Sequence, residues 1–156
     1  MPSRRNAIEM TSAEIESFLS DGMKTLNVAT IGPTGHPHLV AMWFAMRGPN
    51  PVFWTFGKSQ KIVNLRRDPK MTALVETGET YNELRGVELV GTGRIIEDYD
   101  GIMDIAKLVA PRYSGPSALG DKAMPFIEAQ ARKRLGVEFV VERVVSWDHT
   151  KLGGGY

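Results

Sequence analysis

Apolar and polar residues alternate along much of the chain, with the two-residue period of a β-strand that buries one face. Short stretches rich in Gly, Pro and Asn separate the alternating runs, as the turns of an antiparallel meander do. The alternation predicts strands over residues 26–31, 38–46, 52–56, 71–77, 86–97 and 137–147. We therefore expect about six strands, most of them antiparallel.

Four segments instead carry apolar residues at helical spacing. The first begins with Thr11 and Glu14, a capping-box pair whose side chains can satisfy free N–H groups of the first turn. The predicted helices cover residues 11–22, 60–67, 99–113 and 123–135. This mixture predicts an α+β, barrel-like domain over residues 11–150, preceded by a flexible segment, 1–10, and followed by a Gly-rich tail, 151–156.

The chain has 156 residues and a net charge of +1, so bulk electrostatics give no reason to expect nucleic acid or a membrane surface as a partner. No cysteine is present, which excludes disulfides, thiolate catalysis and cysteine-based zinc sites. No apolar run approaches the roughly 20 residues that span a bilayer, and the N-terminal residues lack the apolar core of a secretory signal. We therefore expect a cytoplasmic protein.

Residues 52–69 combine features that suit an anion-binding element. A strand ends and a helix begins within them, so free N–H groups and the positive end of the helix dipole lie at this junction. Gly57 allows a ligand to approach the backbone closely, Ser59 can cap the helix or donate to an anion, and Lys58 and Lys61 can share a helix face. The alternative is a capped, solvated surface helix, and spacing alone does not separate the two.

The rest of the chain shows no convincing acid, base or nucleophile constellation. His36, His38 and His149 lie in or next to turns and in the tail, which does not predict a metal site. No Gly-x-Ser-x-Gly nucleophile motif occurs, and the acidic residues are scattered. An enzyme without such residues can still work if a cofactor carries the chemistry. Residues 52–69 are the candidate site for such a cofactor.

The order of motifs resembles the pyridoxamine 5′-phosphate oxidase-like, FMN-binding split β-barrel superfamily. The motifs are Leu-Asn-Val-Ala-Thr, Gly-Pro-Thr-Gly-His-Pro-His, Val-Ala-Met-Trp-Phe and Phe-Trp-Thr-x-x-Lys-Ser-x-Lys. The run Asn64-Leu-Arg-Arg-Asp-Pro69 is similar to the flavin/deazaflavin oxidoreductase branch. The resemblance covers residues 11–97, weakens over the two later helices and returns at Ser146-Trp-Asp148.

The resemblance implies a split barrel that forms a homodimer with two cofactor sites at the subunit interface. The second strand would follow the isoalloxazine ring of the cofactor through Val40, Ala41, Met42 and Trp43. The third strand and the turn after it would hold the ribityl and phosphate groups through Thr55, Lys58, Ser59 and Lys61. The other subunit would close the site with Arg85, Gly86 and Trp147.

Two departures from the family pattern argue against vitamin B6 oxidation. True pyridoxamine phosphate oxidases have an Arg on the second strand and an Arg-rich C-terminal segment, whereas here the second strand and the tail contain no Arg. The reaction expected instead is hydride transfer from reduced deazaflavin coenzyme F420, or from FMN, to a small organic substrate lying against the helix at 99–113 and the loop at 114–120. Tyr81, Tyr113 and His149 are the candidate proton donors. A non-catalytic flavin- or F420-binding carrier or sensor is the alternative.

Charge favours F420 over FMN. F420 carries a lactyl and polyglutamate tail beyond its phosphate, and the anion-binding element and the N-terminus together hold more positive charge than one phosphate needs. The residues concerned are Lys58, Lys61, Arg66, Arg67, Arg4 and Arg5. The alternative is that the arginines face solvent or pair with Glu76, Glu79 or Asp68.

Overall fold

The structure, a computed structural model, describes residues 3–154; residues 1 and 2 of the predicted flexible segment and 155 and 156 of the Gly-rich tail lie outside the described residues. The helices are α1 (Arg4–Ile8), α2 (Ser12–Ser20), α3 (Gln60–Arg67), α4 (Tyr99–Ser114) and α5 (Met124–Ala131). The strands are β1 (Leu26–Ile31), β2 (Pro37–Met42), β3 (Ala45–Arg47), β4 (Asn50–Phe56), β5 (Lys70–Thr77), β6 (Arg85–Ile96) and β7 (Arg134–Asp148). Short 3-10 helices cover Tyr81–Glu83, Pro116–Leu119 and His149–Leu152.

The strands form one antiparallel sheet with the order β2-β1-β5-β6-β7-β4-β3. The two edge strands, β2 and β3, are consecutive in the chain, with only Trp43 and Phe44 between them. Three Cα–Cα steps span at most about 11 Å, so the two edges lie close together. The sheet therefore curls into a barrel that is open between β2 and β3, and the expected α+β split barrel is confirmed.

The second predicted strand, 38–46, is two strands rather than one. Phe44 is fully buried between them. Its backbone N–H and C=O bond to side chains at the end of α4: the N–H to the Tyr113 hydroxyl, and the C=O to Tyr113 and Arg112. The chain passes here from one edge of the barrel to the other, so the sheet has seven strands and not about six. Both halves are apolar, which is why hydropathy alone predicted a single strand.

The last predicted helix, 123–135, is too long at its C-terminal end. It ends at Ala131, and Arg134 and Leu135 already belong to β7. In the sheet these two residues pair with Phe56 and Thr55 of β4. The start of β7 therefore lies beside the predicted anion-binding element, which the sequence did not indicate.

The segment before residue 11, expected to be flexible, contains the short helix α1. Met10, which follows this helix, is buried, and its backbone N–H donates to Ser146 Oγ at 3.0 Å. This bond ties the end of the segment to β7.

Two apolar clusters hold the fold together. One fills the barrel, with Leu26, Phe53 and Phe139 among its fully buried side chains. The other joins the outer face of β4 to α4 and α5, through side chains such as Val52 and Ile105. Burying a side chain of this size contributes about 1.5–3 kcal/mol. The second cluster fixes α4 and α5 beside the strand that leads into the predicted anion-binding element.

Candidate functional site

The end of β4 has a group of polar and charged side chains on one face and an apolar cavity on the other. Trp54 and Thr55 are consecutive, so their side chains point to opposite faces of the strand. Thr55 points towards the start of α3, where it meets Ser59 and Lys61; we call these three residues the cation site. Trp54 points towards α4 and α5, where it lines an apolar cavity.

Lys61 is buried in the cation site, with only 7% of its surface exposed. Its Nζ donates to Thr55 Oγ1 at 2.8 Å, and that hydroxyl lies 3.4 Å from Ser59 Oγ. No carboxylate pairs with Lys61 within residues 3–154. Burial and, secondly, the nearby charge of Arg134 lower the pKa of the Lys61 ammonium. A buried cation without a counter-charge is costly, so the cation site suits an anionic ligand.

Ser59 occupies the N-cap position of α3, but its side chain makes no capping hydrogen bond. A serine at this position usually accepts a bond from an N–H of the first turn. The Ser59 hydroxyl lies near Thr55 instead, so this side chain does not cap the positive end of the helix dipole. Together with the burial of Lys61, this geometry differs from that of a capped, solvated surface helix.

A shallow depression of about 470 Å³ lies next to the cation site, and four of its lining residues form what we call the basic rim. They are Lys58, Arg132, Lys133 and Arg134. None of them forms an ion pair in the part of the chain that the structure describes. The sequence motifs indicated Lys58 but not the other three, because the apolar spacing predicted that those three belong to a helix. Their run of three consecutive basic residues was the available signal.

Arg66 and Arg67, by contrast, have other partners. Arg66 forms an ion pair with Glu97. Arg67 donates to the backbone carbonyl of Ile31 and to Asn64 Oδ1. Arg66 is thus paired with a carboxylate, whereas the acceptors of Arg67 are neutral. The basic rim is a further group of positive charges, next to the cation site.

The apolar cavity has a volume of about 610 Å³ and lies between β2, β4, α4 and α5. Ala41, Met42 and Trp43, three of the four residues predicted to follow an isoalloxazine ring, line it. The fourth, Val40, does not line it; this residue is half-buried opposite Val28 of the barrel core. The end of α4 and the 3-10 helix after it form one wall of the cavity, and these are the segments against which the substrate is predicted to lie.

Trp43 stands at the mouth of the cavity and is 57% exposed. Its ring stacks on Tyr113, with ring centroids 4.6 Å apart and planes 4° apart. The Tyr113 hydroxyl donates to the Lys24 carbonyl at 2.6 Å and accepts from the Phe44 N–H at 3.1 Å. Tyr113 is thus engaged with the backbone, which argues against it as a proton donor.

Arg85, Gly86 and Trp147 lie at the opposite end of the barrel from the cation site. Gly86 faces Trp147 across β6 and β7, and a Cβ on Gly86 would lie 2.2 Å from Trp147 Cζ2. Arg85 Nε donates to Asp148 Oδ2 at 3.2 Å. Trp147 lies twelve positions along β7 from Leu135, the residue opposite Thr55. That separation amounts to as much as about 40 Å along a strand. A single chain therefore does not bring these three residues to the cation site.

Two other properties of the described residues bear on function. None of the helices within residues 3–154 is long and apolar enough to cross a membrane. Over the same range, no group of three or more His, Asp or Glu side chains is arranged to hold a metal ion.

Several solved structures share this architecture. A conserved hypothetical protein from Mycobacterium tuberculosis matches over 99% of this chain and 95% of its own, with 42% identity and a TM-score of 0.90. An F420 reductase matches over 83% and 94%, with 28% identity and a TM-score of 0.60. A FAD-binding protein from Mesorhizobium loti shares the fold at 14% identity, over 88% and 94%, with a TM-score of 0.64. No curated protein matches the sequence.

A family model described as pyridoxamine 5′-phosphate oxidase matches residues 11–148, which is most of the chain. The match agrees with the seven-stranded split barrel and confirms the resemblance seen in the sequence motifs. The chain belongs to the pyridoxamine 5′-phosphate oxidase family.

Proposed function

We propose that the protein is an oxidoreductase that binds F420 and passes a hydride from it to a small organic substrate. The observation that carries the proposal is the buried Lys61 ammonium, which has no carboxylate partner within residues 3–154 and lies near Arg134, a residue that lines the apolar cavity. A ligand that joins an anionic group to a flat apolar ring system satisfies both features. The F420 reductase that is 28% identical to this chain supports F420 as that ligand.

The residues present fit a phosphorylated deazaflavin or flavin. Lys61, Thr55 and Ser59 would hold the phosphate with one ammonium and two hydroxyl groups. β2 is an edge strand, so one row of its backbone groups is free to bond to the ring next to Ala41 and Met42. When bound, reduced F420 supplies a hydride. The apolar cavity excludes water and positions the substrate.

The basic rim supports F420 over FMN. Lys58, Arg132 and Lys133 are exposed and form no ion pairs with the described residues. They would attract the glutamate tail of F420, which extends beyond the phosphate. FMN ends at the phosphate and leaves these three charges unused, so it is the second choice of cofactor.

A second copy of the chain is proposed to complete the site with Arg85, Gly86 and Trp147. These residues lie at the far end of their own barrel, so only another subunit can bring them to the cation site. The same arrangement, used twice, makes a homodimer with two cofactor sites.

The proposal is tested by titrating the purified protein with F420, FMN and the deazaflavin FO, which lacks the phosphate. Trp43 and Trp54 line the cavity, so quenching of tryptophan fluorescence reports binding. We expect F420 to bind most tightly and FO most weakly, because FO offers nothing to Lys61. An absence of quenching by both F420 and FMN would refute the proposed function.

Co-expression of two variants tests the shared site. Lys61→Met and Trp147→Ala should each abolish tight F420 binding on their own. In a mixed dimer, one site carries both defects and the other carries neither, so tight binding returns to one site per mixed dimer. No recovery in the mixed dimers would contradict the two-subunit site.

A non-catalytic carrier or sensor is the second candidate, and one observation favours it. Within the described residues, the cavity lining contains no Asp, Glu, His, Lys or Tyr that could donate a proton. Tyr81 and His149 pack on each other beyond the start of β6, with ring centroids 4.5 Å apart. Oxidation of reduced F420 in the presence of enones or quinones distinguishes the candidates, because a carrier shows no turnover with any of them.

A further inference from the structure

Arg134 is the one ionisable side chain that lines the apolar cavity in the part of the chain described by the structure. Its guanidinium carbon lies 4.8 Å from the centroid of the Trp54 ring. Its Nε is buried and has no hydrogen-bond partner among residues 3–154. Burial lowers the pKa of this guanidinium, but an arginine keeps its charge at neutral pH.

Arg134 and Lys61 contact different faces of β4. Arg134 lies against Trp54, which points from β4 towards α4 and α5, whereas Lys61 bonds to Thr55, which points the other way. Lys61 does not line the cavity, so among residues 3–154 Arg134 is the cation that a ligand inside the cavity meets. A guanidinium donates two parallel hydrogen bonds, a geometry that matches a carboxylate.

The rest of the cavity suits an apolar molecule. Within residues 3–154, the other side chains of its lining that carry hydrogen-bonding groups are those of Trp43, Trp54, Ser114 and Gln130. Trp43 and Phe126 stand at its mouth and are 57% and 68% exposed. Large exposed aromatic side chains beside a cavity extend the apolar surface that a ligand can cover. The ligand body is thus apolar from the Arg134 end to the mouth.

We propose that the apolar cavity selects a substrate with an apolar body and a single carboxylate, and that Arg134 binds this carboxylate. That the substrate is reduced rests on the proposed function; its reduction would consume one hydride from the cofactor and one proton from water. The carboxylate contact itself does not depend on which cofactor binds.

The test is calorimetric titration of the full chain, without cofactor, by 2-naphthoate and by its neutral analogue 2-naphthamide. We expect wild type to bind the carboxylate about 10- to 100-fold more tightly than the amide, the factor that a charge-assisted hydrogen bond supplies. Arg134→Met should remove this preference, and Arg134→Lys should retain part of it. Arg132→Met is the matched control and should keep it, because Arg132 lies over Tyr99 outside the cavity.

Two results would overturn the inference: equal binding of naphthoate and naphthamide by wild type, or an unchanged preference in an Arg134→Met variant that melts as wild type does. F420 and FMN are titrated in parallel to keep the two proposals separate. A protein that prefers naphthoate through Arg134 but binds neither cofactor keeps this inference and refutes the proposed function. A protein that binds F420 through Lys61 but does not distinguish naphthoate from naphthamide keeps the proposed function and refutes this inference.

Discussion

Replacing Lys61 by Met removes the buried charge of the cation site and keeps most of the side-chain volume. In the cofactor-free protein the ammonium is desolvated, and its one hydrogen-bond partner among the described residues is the Thr55 hydroxyl. Its removal should therefore leave the free energy of unfolding unchanged or raise it. With cofactor present, the same change removes a charged donor from the phosphate. A lysine with a purely structural role would not produce this combination of retained stability and lost affinity.

The size of the affinity loss follows from the burial of the charge. A hydrogen bond to a charged group contributes about 1.5–3 kcal/mol, and about 1.4 kcal/mol corresponds to a factor of ten. The dissociation constant of F420 should thus rise about 10- to 100-fold in Lys61→Met. Lys58 is exposed, and an exposed ion pair contributes at most about 1 kcal/mol, so Lys58→Met should cost no more than about fivefold. Lys107 is exposed on α4, so Lys107→Met is the control for the loss of a surface charge away from the cation site.

The pH dependence of stability gives a second readout. Burial lowers the pKa of Lys61 in the folded protein below its ordinary value of 10.5, so the unfolded chain keeps this proton to higher pH than the folded chain does. Stability then rises as the pH increases from the folded pKa towards 10.5. Lys61→Met should lack this alkaline gain. The affinity of wild type for F420 should fall over the same range, because a neutral amine does not attract phosphate.

Calorimetric titration with F420 and urea unfolding at neutral and alkaline pH measure these effects on wild type and the three variants. An unchanged dissociation constant in Lys61→Met would refute the assignment of the phosphate to the cation site. A loss of stability greater than about 1 kcal/mol, the typical cost of a point mutation, would show instead that the ammonium stabilises the fold.

Three further predictions concern the framework. Gly86→Ala should lower stability by about 1–3 kcal/mol and shift tryptophan emission, because its Cβ would lie 2.2 Å from the Trp147 ring. Arg112→Met should cost about 2–4 kcal/mol in urea unfolding, since this guanidinium donates to three backbone carbonyls. Hydrogen bonds to the carboxylate, of which the one from Arg94 has the largest effect, lower the pKa of Glu138. Ionised Glu138 therefore stabilises the fold above the ordinary pKa of a glutamate, and this stabilisation is lost as the pH falls through the lower pKa of the folded protein. Glu138→Gln should therefore lose stability near neutral pH and show a smaller further loss on acidification; an acid transition equal to that of wild type would contradict this.

Features that depend on neighbours in the chain were predictable. The capping box of α2 is present, with Thr11 N–H donating to Glu14 at 2.7 Å and Glu14 N–H to Thr11 at 3.2 Å. α3 covers residues 60–67 and β1 covers 26–31, as the spacing predicted. Helical spacing, strand alternation and caps involve residues within a few positions of each other, so the sequence displays them directly.

The path of the chain at Phe44 was not predictable in this way. The break between β2 and β3 depends on Arg112 and Tyr113, which lie 68 and 69 residues after Phe44 in the sequence. These side chains meet Phe44 only once α4 has packed against the sheet. The same limit applies to the end of the last helix. Arg134 joins β7 because it pairs with Phe56, a contact that no local pattern contains.

The amino-acid sequence by itself determined the type of fold, the junction of strand and helix around Gly57, and the presence there of Lys58, Ser59 and Lys61. Only the tertiary structure decided that Lys61 is buried and Lys58 exposed, and that Arg134 lies against Trp54 at the edge of an apolar cavity. The physical reason is that burial and the pairing of charges depend on which distant segments fold against a residue. Spacing along the chain specifies a side chain's direction on its own element, but not the solvent, charge or ring that it meets there.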